Sequence, residues 1–286
     1  MYRLSYYPWI TQNVPPDQVA AQVRIFAHEV ESQLKKLGQA NAEVQVLPAV
    51  EVPKQIEQIV TGGAEIALMN PLGFVFARNR TDNVEAVAVA IRIINGAPGK
   101  FYFSQLYTHK KTAIRDLKQA AGRSIGYGLP YSTSNFLMAA FVLLEKAGIH
   151  PFCGFGRIEF LKGHEKIAVA VYEGRVEVGA GHDGVIKDLA TQPGYGDAED
   201  VLVRLDRSEP IPSDPVVVRI ADAKEREQVK QAIIDAGNTP AGIEALKIFW
   251  GKTQRLEGTD SGFYKDLGEA LKKLRLEQND LLPPAA

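Results

Sequence analysis

Only one cysteine, Cys153, stands in a chain of 286 residues, so no intramolecular disulfide can form, and cysteine usage leaves the compartment open. An excess of charge of either sign is also lacking: 33 Lys and Arg against 34 Asp and Glu leave a formal net charge of −1. That balance argues against nucleic acid or an anionic membrane as a partner, since both call for a clear basic excess. Lys110-Lys111 is too short a run to alter this. The five histidines, His28, His109, His150, His164 and His182, lack the paired spacing of a zinc site, so neither metal nor cofactor is expected. No apolar run is long enough to span a bilayer, and the opening Met1-Tyr2-Arg3-Leu4-Ser5 lacks the pattern of a secretory leader. A removed leader and a chain that is never exported both fit that start. There is no internal repeat, and only a polar, proline-ended tail at 281–286 is expected to fray.

What the chain does have is an alternation of strand and helix, with 45% hydrophobic residues, enough to fill two modest cores. Residues 2–7 read as a strand. Val19, Val23, Phe26, Val30 and Leu34 mark one face of a long helix stopped near Gly38. Residues 43–47 and 65–69 read as strands around a helix at 53–60. The turn-rich Asn95-Gly96-Ala97-Pro98-Gly99 is the expected crossing into a second lobe. Strands are read there at 102–107, 124–128, 157–161, 176–180 and 201–205. The chain is expected to return near 211–218 and to add helices at 225–236, 241–250 and 263–274 to the first lobe. The predicted fold is therefore α/β, with a discontinuous first lobe (1–97 and 211–286) and a second lobe (98–210), each a mostly parallel sheet flanked by helices.

The most informative stretch runs from Arg123 to Asn135. A short apolar strand ends in Gly128-Leu129-Pro130-Tyr131 and delivers Ser132, Thr133 and Ser134 to the start of a helix carrying Leu137, Phe141 and Leu144. First-turn N–H groups have no intrahelical partners and the helix dipole is positive there, so hydroxyls and amides converge on an oxyanion-sized volume. A plain Ser132 helix cap is the competing reading.

Two further segments accompany it: Gly163-His164-Glu165, opening a helical run, and Ser208 to Pro215, containing Pro212-Ser213-Asp214-Pro215. In this order the Ser-Thr-Ser triplet, Gly-His and Pro-x-Asp-Pro resemble the phosphate/phosphite/phosphonate group of substrate-binding proteins of ABC importers. The resemblance extends to Asp116-Leu117-Lys118, to the Gly174 and Gly179 pair and to the region from Asp260 to Tyr264, and so covers most of the chain. It implies a two-lobed type II periplasmic binding protein with a ligand cleft between lobes that close on a small phosphorus oxyanion or organophosphonate. It also implies ABC permease subunits as partners, a periplasmic or extracytoplasmic location, and no catalysis. A monomer is the simpler expectation.

On that resemblance Ser132, Thr133, Ser134 and His164 would donate to the oxyanion. Asp214 would favour ligands that retain a P–OH, because a carboxylate facing an oxyanion repels it unless a proton lies between them. Tyr102 and Tyr131 are candidate pocket walls, Tyr7 and Trp9 candidates to stack on an organic substituent, and Asp183 of the His182-Asp183 pair points to the same edge. Each has a plainer reading as core, cap or turn residue. Two other functions compete: a lyase or dehydratase using His164, His182 or Asp183 as acid/base, although no Gly-x-Ser-x-Gly elbow is present, and a cytoplasmic sensor.

Overall fold

The computed structural model describes residues 1–8, 14–94 and 96–276. Contacts divide the chain into two compact units, residues 1–100 with 212–265 and residues 101–211 with 266–286. Among the described residues no helix is long and apolar enough to cross a membrane.

The first unit opens with β1 (Tyr2–Tyr6), α1 (Pro16–Lys36), β2 (Val44–Val46), α2 (Val52–Thr61), β3 (Ile66–Leu68), α3 (Pro71–Arg80), β4 (Glu85–Ile94) and β5 (Ala97–Gly99). Helix α1 forms because Val19, Val23, Phe26, Ala27, Val30 and Leu34 repeat at helical spacing and all become buried. Pro16 occupies its first turn, where the missing N–H removes no helix bond.

The second unit contains β6 (Phe101–Tyr102), β7 (Ser104–His109), β8 (Ser124–Tyr127), α4 (Met138–Ala147), β9 (Arg157–Phe160), α5 (His164–Tyr172), β10 (Val178–His182), α6 (Val185–Ala190), α7 (Ala198–Val201) and β11 (Leu202–Arg207). The chain leaves it through β12 (Ile211–Pro212) and completes the first unit with β13 (Pro215–Val218), α8 (Ala223–Ala236), α9 (Pro240–Trp250) and β14 (Thr253–Gly258). It ends in α10 (Lys265–Leu274).

The two larger sheets run in the order β14-β4-β13-β3-β1-β2, with β5 beside β4, and β11-β7-β10-β8-β9, and β12 pairs with β6 in a small third sheet. They are mixed rather than mostly parallel. β1, β2 and β3 are parallel, but β13 lies antiparallel to both β3 and β4, and β14 is antiparallel to β4. In the second unit β8, β9 and β10 are parallel, while β7 is antiparallel to β10 and β11 to β7. A strand that completes a sheet after a long excursion need not follow the right-handed crossover that forces parallel pairing.

The last helix departs from expectation more sharply. It was assigned to the first lobe with the rest of the returning chain, yet α10 belongs to the second unit. Its buried face of Leu267, Ala270, Leu271 and Leu274 supplies the reason. Beside that face Lys273 pairs with Glu145 at 3.2 Å and lies 5.4 Å from the Phe141 ring, both on α4.

Candidate functional site

In the second unit the candidates gather at one sheet edge. Since β8 and β10 are parallel and His182 of β10 lies opposite Ser104 of β7, the carboxyl ends of β8 and β10 and the amino end of β7 share that edge. The segment after β8 turns back and enters a π-helical turn, Thr133–Leu137, which leads into α4. Ser132 caps this turn, its Oγ accepting the Asn135 backbone N–H at 3.3 Å. Ser104 donates its hydroxyl to the Ser134 carbonyl at 2.6 Å, tying the triplet to β7. Ser208 in turn accepts the Ser104 backbone N–H at 3.0 Å. Tyr131, Ser132, Thr133 and Ser134 are all buried, and Tyr102 on β6 is half-buried.

The turn also requires a glycine. A Cβ on Gly128 would fall 2.0 Å from Asn135 Nδ2, so the carboxamide packs directly on the backbone there. Both polar atoms of that carboxamide are buried and have no hydrogen-bond partner among the described residues.

His164 is the first residue of α5, and Gly163 before it takes φ of +155°, a region open essentially to glycine alone. The Gly of the Gly-His pair is thus fixed by how the chain enters the helix. His164 Nδ1 accepts the His182 backbone N–H at 3.2 Å, so a neutral His164 carries its proton on Nε2. The two imidazoles lie 4.6 Å apart at 59°. His182 Nδ1 accepts the Gly184 N–H at 3.1 Å, and its Nε2 lies 3.7 Å from Asp188 Oδ2. Asp183 is tied to Phe103: its N–H donates to the Phe103 carbonyl at 3.0 Å and its Oδ1 accepts the Phe103 N–H at 3.4 Å.

The first unit has an edge of its own. Tyr6 of β1 pairs with Leu68 of β3, so Tyr7 and Asn70 emerge side by side. Antiparallel β13 brings Asp214, the residue before it, to the same edge, and β4 brings Arg92. Arg92 Nη1 donates to Asp214 Oδ2 at 2.9 Å, and the Tyr7 hydroxyl reaches Oδ1 at 3.5 Å. Burial pushes the Asp214 carboxyl above the usual aspartate range, with the Arg92 guanidinium and the Tyr7 hydrogen bond pulling the other way. Tyr7 is fully buried, edge-on to Phe249 at 5.6 Å. Asn70 caps α3, its Oδ1 accepting the Gly73 N–H at 2.6 Å. Trp9 lies outside the described residues.

Sequence reasoning missed Arg92, Ser104 and Ser208. For Arg92 there was a signal, a lone cation inside the apolar run of β4, Glu-Ala-Val-Ala-Val-Ala-Ile-Arg-Ile-Ile. Ser208 opens the quoted segment that runs to Pro215, and Ser104 follows the candidate Tyr102 by two positions, but a serine in or beside a strand is too commonplace to single out. Other quoted motifs have local structural roles: Asp116 caps a short 3-10 turn at Leu117–Ala120, and Asp260 caps another at Ser261–Tyr264.

Residues 10–262 match the family described as ABC transporter, phosphonate, periplasmic substrate-binding protein. The phosphate-import protein PhnD of Mycolicibacterium smegmatis is 25% identical over 153 residues, 52% of this chain and 47% of that protein. The match thus spans about half the length of that curated relative. Among solved structures, XAC2383 from Xanthomonas citri bound to chloride superposes with a TM-score of 0.77 at 16% identity, over 96% of this chain and 98% of that one. PhnD1 from Prochlorococcus marinus in complex with methylphosphonate gives 0.69 at 19% identity, with the same coverage of 96% and 98%.

Proposed function

As the chain belongs to the family of periplasmic substrate-binding proteins of phosphonate ABC transporters, we propose that its own ligand is a small phosphorus oxyanion or organophosphonate, bound by the monomer. A member of this family takes up a small ligand for permease subunits and is not an enzyme. The acid/base roles considered for His164, His182 and Asp183 therefore fall away. Family membership also supports a location outside the cytoplasm.

The observation that carries the ligand reading is the hydroxyl triplet at the entry to the π-helical turn and α4. Ser132 caps, and Thr133 and Ser134 open, a buried helical turn whose positive dipole end favours an anion. His164, with its proton held on Nε2, adds a donor at the start of α5. Tyr102, Tyr131 and Asp183 complete this edge in our reading. The test is calorimetric titration with phosphate, phosphite and methylphosphonate, repeated in Thr133→Val and Ser134→Ala. Binding by wild type that weakens about tenfold or more in these variants supports the reading, because each removed hydrogen bond to a charged group is worth about 1.5–3 kcal/mol. A wild-type chain that binds none of the three overturns it.

A further inference from the structure

An unpaired Asp214 would restrict the ligand to forms that still carry a proton. The structure pairs it instead. Arg92 holds one carboxylate oxygen at 2.9 Å and the Tyr7 hydroxyl reaches the other at 3.5 Å, so neither oxygen stands as a bare acceptor waiting for a P–OH. Whether the carboxyl is ionised or protonated, the Arg92–Asp214 pair has a charge of zero or plus one and never a net negative charge. The groups that act on the Asp214 carboxyl are Arg92, Tyr7 and its own backbone N–H. The pair also leaves donors over. Arg92 Nε and Ser213 Oγ are buried with no hydrogen-bond partner among the described residues, and the Arg92 side chain remains 29% exposed beside an Asp214 side chain exposed by only 6%. Buried donors left over in this way remain able to bond to an acceptor that reaches them.

We propose that Arg92 is a specificity-determining residue: by neutralising Asp214 it allows the first unit's edge to accept a fully ionised oxyanion, so that the protein takes the dianion of a phosphonate or of phosphite, which has no P–OH, rather than only the monoanion that keeps one. This rests on the oxyanion reading above and narrows it. A phosphonate or phosphite that must keep its P–OH loses affinity about tenfold for each pH unit above its second ionisation, since the competent form is diluted by that factor. Groups elsewhere in the chain are common to wild type and variant, so the difference between their profiles isolates Arg92.

The experiment is calorimetric titration of the full chain with methylphosphonate and with phosphite, from below to above the second ionisation of each, in wild type, Arg92→Gln, Asp214→Asn and the double variant. Wild-type affinity is expected to hold as pH rises, whereas Arg92→Gln loses about tenfold per pH unit. The double variant, again without net charge at the pair, is expected to recover the wild-type slope. Should Arg92→Gln fail to fold, Asp214→Asn leaves an unneutralised guanidinium and is expected to bind the dianion several-fold more tightly. Profiles of the same slope in wild type, Arg92→Gln and Asp214→Asn, with binding intact, overturn the role of Arg92 and leave the oxyanion reading standing. No binding of either ligand by wild type overturns both.

Discussion

Replacing Gly128 with alanine tests how the hydroxyl triplet is held. The new Cβ would fall 2.0 Å from Asn135 Nδ2 and 2.1 Å from its Cγ, where ordinary contact begins at 3.4 Å. Asn135 is fully buried in the first helical turn, so its carboxamide must move about 1 Å or more within a packed interior. Overpacking of this kind costs about 1–3 kcal/mol. Asn135→Ala acts in the opposite sense. Its carboxamide has no hydrogen-bond partner among the described residues, and an unpaired buried amide is destabilising by about 1–3 kcal/mol. Removing it offsets the packing lost on truncation, so this variant should stay within about 1 kcal/mol of wild type. Joined to Gly128→Ala it also removes the clash, and the double variant should recover about 1–3 kcal/mol relative to additivity. Urea unfolding of the ligand-free protein measures all four corners of the cycle. An additive cycle, or an Asn135→Ala that costs more than about 2 kcal/mol, refutes the close approach as the reason for glycine at 128.

Two further outcomes follow from the units taken separately. Burial raises the Asp214 pKa, so the folded chain retains a proton that the unfolded chain releases; the stability this confers is complete below the ordinary aspartate range and is lost as pH rises through the raised value. Asp214→Asn should remove that decline, and urea midpoints with the same pH slope in both proteins would show that the carboxyl is not perturbed. Leu271→Ala on α10, at a position only 2% exposed, should cost about 2–5 kcal/mol and reduce amide protection in β8 and β9 of the second unit while sparing β1 and β3. Hydrogen exchange that weakens the first unit equally would place α10 elsewhere.

Elements with one clear apolar face were legible in the sequence. Helix α1 could be read from Val19 to Leu34 because only one side of it is buried, and the amphipathic face of α10 was equally visible. Its partner was not, since an apolar stripe says that something covers it and not what. Helix α3 escaped because Pro71 to Ala77 are buried on every side, leaving no periodicity to detect. Its start was nevertheless written in Asn70-Pro71, a cap followed by a proline in the first turn. Strand β14 was missed for the converse reason. It lies at the sheet edge, where Gln254, Arg255 and Glu257 alternate with Thr253 and Leu256, and such a charged edge strand reads as loop.

The site divides along the same line between local and distant information. The triplet, the Gly-His entry and the Asp-Pro turn are contiguous motifs whose backbone requirements are satisfied within a few residues, so they can be read without a fold. Ser132 as a cap and Gly163 at φ of +155° are of this kind. The chemistry of Asp214 is of the other kind. Its partner Arg92 lies 122 positions away, and only the antiparallel pairing of β13 with β4 brings the two together. Sequence alone therefore yields a carboxylate without its partner, whereas the fold supplies a cation beside it. A charge read without its partner leaves the preference open, and this is why Arg92, not the better-marked triplet, is the position at which the ligand's protonation state should be tested.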